Sequence, residues 1–327
     1  MSAGPIILLY HRVIDLASDP QWLCVSPGHF AEHLDVLRGT CRPTSLTGLL
    51  RGLDDGTWAD RTVAVTFDDG YADNIEHARP LLGQYDVPAT VFATTSDDGN
   101  RREFWWDALE GMLLGPETLP DHLELGIESR RREWQLGVQA EENCGRPATR
   151  WNVLYTGGDS PRQALYRELC DVLRALPFDR QVEVLNGLAE WVGKPGGVRQ
   201  THRRLTPDEI LRLSEHERVD IGAHTITHPV LSSLPPAAQQ VEIAGGKRRL
   251  ERILGRSVTA FSYPFGTRSD YTDATIRLVQ TAGFACACAN APGVVGPASD
   301  RFLWPRFLVR DWDGDAFAQR LEGWFDG

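Results

Sequence analysis

Two apolar runs that end in chemistry-bearing side chains constrain this chain more than any other feature. Val63-Ala64-Val65-Thr66-Phe67 leads directly into Asp68-Asp69-Gly70-Tyr71, and Val219 to Ala223 leads into His224-Thr225-Ile226-Thr227-His228. Runs of this length bounded by turn residues read as buried strands. Parallel α/β sheets collect their sites at the C-terminal ends of such strands. An Asp-Asp-Gly turn or a His-x-x-x-His pair is unremarkable alone. Both at strand ends in one alternating pattern predict a metal site, because two imidazoles and a carboxylate make an open ligand set. Adjacent strand-end side chains point in different directions, so one carboxylate can bind the ion while its neighbour stays free as a base.

The rest of the 327 residues continues the alternation. Strands are predicted near Ile6–Tyr10, Val63–Phe67, Ala89–Thr94, Val219–Ala223, Val258–Tyr263, Phe284–Ala287 and Arg306–Val309. Helix starts stand between them: Ser26-Pro27 is a cap followed by proline at the first helical position, and Thr206-Pro207-Asp208-Glu209 has the spacing of a capping box. Gly255 and Gly283 stand where helices need a left-handed stop. About seven such units predict a barrel-like parallel sheet. One interval, 100–204, is far too long for a single crossover and reads as a helical insertion within one catalytic domain spanning 1–327. It carries amphipathic helices over 161–176, behind a Ser160 cap, and near 182–192, with Gly193 as stop. Residues 128–159 have no clear pattern. Leaving after Asp69 and returning before His224, the insertion is expected to be a lid or substrate-binding wall, with Trp105 and Trp106 offering indole faces to a bound substrate. The competing expectation is that these tryptophans are core.

The formal net charge of −11 argues against nucleic acid as a partner. The N-terminus has no basic n-region, and Ile6–Tyr10 is too short for a signal core or membrane span, so a cytoplasmic location without a transmembrane segment is expected. The six cysteines (24, 41, 144, 170, 286 and 288) lack paired-ligand spacing and are expected to be free thiols. His29, His33, His77, His122, His202 and His216 are expected on the surface or in packing.

These motifs resemble the polysaccharide deacetylase family, the NodB-homology carbohydrate esterases. The resemblance covers Ile6 to Thr95 and Val219 to about Val309. It implies a distorted, incomplete (β/α)7 barrel, Asp68 as catalytic base, and Asp69, His224 and His228 as ligands to one divalent ion. Zinc is the expected ion, with cobalt or nickel as alternatives. Phe261-Ser262-Tyr263-Pro264-Phe265-Gly266 resembles the family's groove-lining Arg-x-Pro-Tyr segment, which implicates Tyr263, Pro264 and Phe265, with Tyr71 beside the first motif. Ser262 stands where that segment carries arginine, and Arg306 in Trp304-Pro305-Arg306 is the candidate to steer Asp68 instead. Leu9-Tyr10-His11 resembles the family's last motif, Leu-x-His, moved to the front as in circularly permuted members. His11 then becomes the general acid.

The implied reaction is hydrolytic removal of an N-acyl group, N-acetyl before N-formyl, from an amino sugar in a glycan, a glycolipid precursor, a nucleotide sugar or a small glycosylated metabolite. Two further readings stay open. The same ligands describe an Fe(II) oxygenase, in which Asp68 has no evident role. A carbohydrate-binding protein without turnover would not need four intact site residues.

Overall fold

A computed structural model of the chain describes residues 4–96, 102–116, 118–127, 130–137, 151–193 and 197–326. Cys144 and part of the unassigned 128–159 segment lie outside them. The described residues form two compact units, one from 4–15, 23–96 and 204–326, the other from 16–22 and the described part of 100–203.

The first unit is built on eight parallel strands: β1 (Ile6–Tyr10), β2 (Arg42–Thr44), β3 (Thr62–Phe67), β4 (Ala89–Ala93), β5 (Val219–Ala223), β6 (Ala260–Ser262), β7 (Cys286–Cys288) and β8 (Phe307–Leu308). Their order is β7-β6-β5-β4-β3-β1-β8, and β2 pairs the first half of β3. An isolated parallel bridge from Cys288 to Trp304 brings the β7 edge toward the approach to β8, so the sheet curls into an incomplete barrel. β1, β3 and β4 are buried along their whole length. This explains their unbroken apolar reading: Ile6, Leu8, Val63 and Val65 pack against helix residues such as Phe30 and Leu34, while Ile7, Ala64 and Phe92 on the other face pack with Cys288 and Trp304, and no residue is left to face water. The strand missed in the sequence, β2, contains Pro43. Proline argues against a central strand, but it is tolerated here because β2 has only β3 as a neighbour.

Local signals set the helices. Ser26 accepts from the His29 N–H at the head of Pro27–Thr40, and Thr206 with Glu209 forms the expected capping box on Pro207–Ser214. Gly255 adopts φ +64° at the end of Pro236–Leu254. No described helix is long and apolar enough to cross a membrane.

The second unit packs Trp105–Leu113, Pro161–Ala175 and Phe178–Val192 together. It also holds an antiparallel strand pair, His122–Ile127 with Arg130–Gln135, which the reading of a helical insertion did not include. The signal was present: Leu123, Leu125 and Ile127 are buried and alternate with exposed residues at the period of a strand. Arg199 binds Glu103 and Glu110 and donates to the Asp107 carbonyl, tying the unit's last residues to its first helix.

Candidate active site

Strand register assembles the site. β1 pairs β3 with Tyr10 opposite Phe67, so His11 and Asp68 follow on adjacent strands, and the Asp68 N–H donates to the Tyr10 carbonyl at 2.9 Å. Two strands further on, the His224 N–H donates to the Ala93 carbonyl at 3.1 Å. The chain then turns sharply. Asp69 takes φ +76° and Gly70 φ +73°. A Cβ on Gly70 would lie 3.0 Å from the Ala93 Cα, so only glycine allows β4 this close.

Four of the seven non-glycine residues with positive φ among those described are at or beside the site: Asp69, Thr225, His228 and Phe265. Such conformations cost free energy and collect where geometry serves chemistry.

Asp69 Oδ1 lies 3.4 Å from His224 Nε2 and 3.2 Å from His228 Nε2, and all three side chains are buried. The three candidate ligand atoms fall within 4.8 Å of one another. His224 Nδ1 is 2.8 Å from the Ser262 carbonyl, which can only accept. Nδ1 therefore carries the proton and Nε2 keeps its lone pair for a ligand. Burial lowers the His228 pKa against the opposing pull of Asp69 and favours the neutral, ligating ring. Donor types, tautomer and protonation all fit a divalent cation with open positions.

Asp68 is not one of these three ligands and is held in a polar network of its own. Arg306 Nη1 and Nη2 donate to its two carboxylate oxygens at 2.8 and 2.7 Å, and Ser262 Oγ adds a bond at 2.9 Å. The guanidinium also donates to Ser262 Oγ, Thr66 Oγ1 and the Ala289 carbonyl. Burial alone would raise the Asp68 pKa, but the Arg306 charge outweighs it and keeps the carboxylate ionised. Arg306 precedes β8 and reaches Asp68 through the barrel interior, fully buried. Ser262 and Arg306 thus meet on the same carboxylate oxygen, Asp68 Oδ2, and the guanidinium also donates to the Ser262 hydroxyl. Sequence reasoning flagged Ser262 only as a departure and did not foresee its bond to Asp68.

His11 is partly buried, and its carbonyl accepts from Asn74 Nδ2 at 3.0 Å. Burial lowers its pKa, against the opposing charges of Asp69 and Asp68.

The groove candidates separate. Phe265 is partly exposed, and its ring meets that of His228 edge to face at 4.7 Å. Pro264 is buried. Tyr71 is fully buried with the Arg12 guanidinium 4.2 Å above its ring. Tyr263 is buried, stacks on Tyr271 and donates to the Phe302 carbonyl. Trp105 and Trp106 are buried in the second unit at 7% and 4% exposure, edge to face with each other, with Trp106 stacked on Phe104. Their faces are occupied by packing. The five described cysteines are buried free thiols.

Comparison with known proteins agrees with this geometry. The family model for polysaccharide deacetylase matches residues 55–124 and 151–287. YxkH of Bacillus subtilis (strain 168), which carries a provisional polysaccharide deacetylase name, is 27% identical over 119 residues, 36% of this chain. That match spans 41% of the relative's length, about two fifths. Among solved structures, the Streptococcus pyogenes deacetylase PplD in complex with acetate superposes at TM-score 0.60, with 16% identity and coverage of 98% of this chain and 99% of that one. IcaB from Ammonifex degensii superposes at 0.58 with 18% identity, covering 99% and 98%.

Proposed function

This chain belongs to the polysaccharide deacetylase family, and on that premise we propose that it is a metal-dependent hydrolase removing an N-acetyl group from an amino sugar. The observation that carries the reading is the pair of adjacent aspartates split between two environments: Asp69 among imidazoles, Asp68 on a guanidinium.

Asp69, His224 and His228 would hold the ion, with zinc as the ion of choice for two imidazoles and a carboxylate. When bound, it supplies Lewis acidity toward the acyl oxygen and lowers the pKa of a coordinated water. Asp68 acts as general base. Oδ2 accepts from both Arg306 and Ser262, whereas Oδ1 accepts from Arg306 alone and retains a lone pair for a water's proton. The rigid bidentate pair orients the carboxylate and keeps it ionised. Addition of a water oxygen to the acyl carbon forms the new C–O bond, collapse of that adduct breaks the C–N bond, and the departing nitrogen needs a proton. His11, next to Asp68 in strand register, is the group we assign to deliver it. This assignment treats β1 as the counterpart of a motif that ends other members of the family. Phe265, the partly exposed aromatic against His228, would contact the sugar beside the acyl group.

Release of acetate from a panel of N-acetylated amino sugars, free, oligomeric, nucleotide-linked and lipid-linked, tests the reading and ranks the carriers. Acetate with an equal amount of new primary amine is expected from at least one class. No acetate from any class by zinc-loaded protein would overturn it.

A further inference from the structure

The loop that carries His228 is held from outside the ligand set. Glu242 stands on the helix Pro236–Leu254, and its Oε2 accepts the N–H groups of Ile226 and Thr227 at 2.8 and 2.9 Å. Its Oε1 accepts the Thr227 hydroxyl at 2.8 Å. One carboxylate therefore takes three bonds from the middle of His224-Thr225-Ile226-Thr227-His228. The residues on either side of that grip, Thr225 and His228, have φ +64° and +62°. For a β-branched threonine this is an outlier that the surroundings must enforce.

One helical turn beyond Glu242, the same helix supplies a seat. A Cβ on Gly246 would lie 2.8 Å from the Thr225 carbonyl oxygen and 3.2 Å from its Cα, so backbone packs directly on backbone. On Gly245 it would meet Ile226 Cδ1 at 2.7 Å. The loop is thus gripped by Glu242 and pressed onto Gly245-Gly246.

We propose that Glu242 is a positioning residue for the metal site: it holds the left-handed turns that aim His228 Nε2 at Asp69, with Gly246 as the surface against which they are held. The inference rests on the assignment of Asp69, His224 and His228 as ligands, and adds a residue that touches none of them. Groups that orient metal ligands without touching the ion tune its affinity by about 10–100-fold. In Glu242→Gln the side-chain shape is kept, but the amide nitrogen cannot accept, so part of the grip is lost.

The test is a zinc titration of stripped protein against a chromophoric chelator, at a temperature where every variant is folded, beside the thermal midpoint of the same stripped proteins. His228→Ala is the reference for a lost ligand. If it binds zinc like wild type, the ligand assignment itself has failed, a result distinct from any outcome for Glu242. With the reference behaving as expected, Glu242→Gln should weaken zinc binding by about 10–100-fold. Gly246→Ala, which displaces the loop from the opposite side, should also weaken it. Thr227→Val removes a single bond and should weaken it least, and it remains readable if Glu242→Gln does not fold. A purely structural carboxylate would lower the thermal midpoint and leave the zinc affinity of folded protein unchanged. That pattern in Glu242→Gln, or in Thr227→Val should it stand alone, overturns the proposal.

Discussion

Arg306 Nη1 and Nη2 meet Asp68 Oδ1 and Oδ2 at 2.8 and 2.7 Å, with both side chains buried, in a bond of two parallel arms between residues 238 positions apart. Arginine suits this place because its planar fork matches a carboxylate, whereas lysine offers a single point charge. Removing one member of a buried pair leaves the other charged and unpartnered, which costs about 3–5 kcal/mol. Arg306→Met is therefore expected to lose about that much stability in denaturant unfolding, and Arg306→Lys less. Asp68→Asn should keep its zinc and lose roughly 10²-fold or more in kcat, as expected for a general base. Wild-type turnover in Asp68→Asn would make Asp68 structural.

The acid role assigned to His11 gives a different signature. His11→Ala is expected to retain zinc and substrate binding while kcat falls. The loss should shrink for substrates whose leaving group needs no proton, such as an aryl acetate. An equal loss for amide and aryl ester substrates would remove His11 from the acid role.

A pH dependence of stability arises outside the ligand cluster, at His33. Its ring is buried against Phe317, its Nε2 lies 2.7 Å from the Trp312 carbonyl, and its Nδ1 lies 3.2 Å from the Tyr10 hydroxyl. Burial lowers its pKa from 6.5 to about 4; the Trp312 carbonyl, Asp311 and Glu32 oppose this, and His29 adds to it. The unfolded chain then binds a proton that the folded chain refuses between these values. Stability from this residue is complete above pH 6.5 and is lost as the pH falls toward 4, up to about 3 kcal/mol at 1.36 kcal/mol per unit. Unfolding free energies over that window should fall less steeply in His33→Gln than in wild type. Parallel slopes would show that another group titrates.

The legible part of this protein was whatever rests on local pattern. Buried parallel strands show as continuous apolar runs, which is why Ile6–Tyr10 could be read to the residue; Val219–Ala223 was legible despite the half-buried Asp220 within it. Asp68, Asp69, His224 and His228 could be grouped because each follows such a run. The polar network was less accessible, because a bond between Arg306 and Asp68 depends on barrel closure and not on spacing. Arg306 could be nominated only through the missing arginine at Ser262, and Glu242 gave no signal at all: a glutamate on a half-exposed helix looks like any solvated one until the loop is folded onto it. Trp105 and Trp106 show a different limit: a tryptophan pair reads equally as a ligand platform or as core, and only the fold shows both buried, with Trp106 stacked on Phe104 and meeting Trp105 edge to face.

The most direct test of the central claim is acetate release from an N-acetylated amino sugar while stripped protein is titrated with zinc. Activity should rise in proportion to added zinc and saturate at one equivalent per chain, with the His224→Ala, His228→Ala double variant flat throughout. Acetate release that survives removal of metal, or that zinc restores equally in the double variant, would contradict the account.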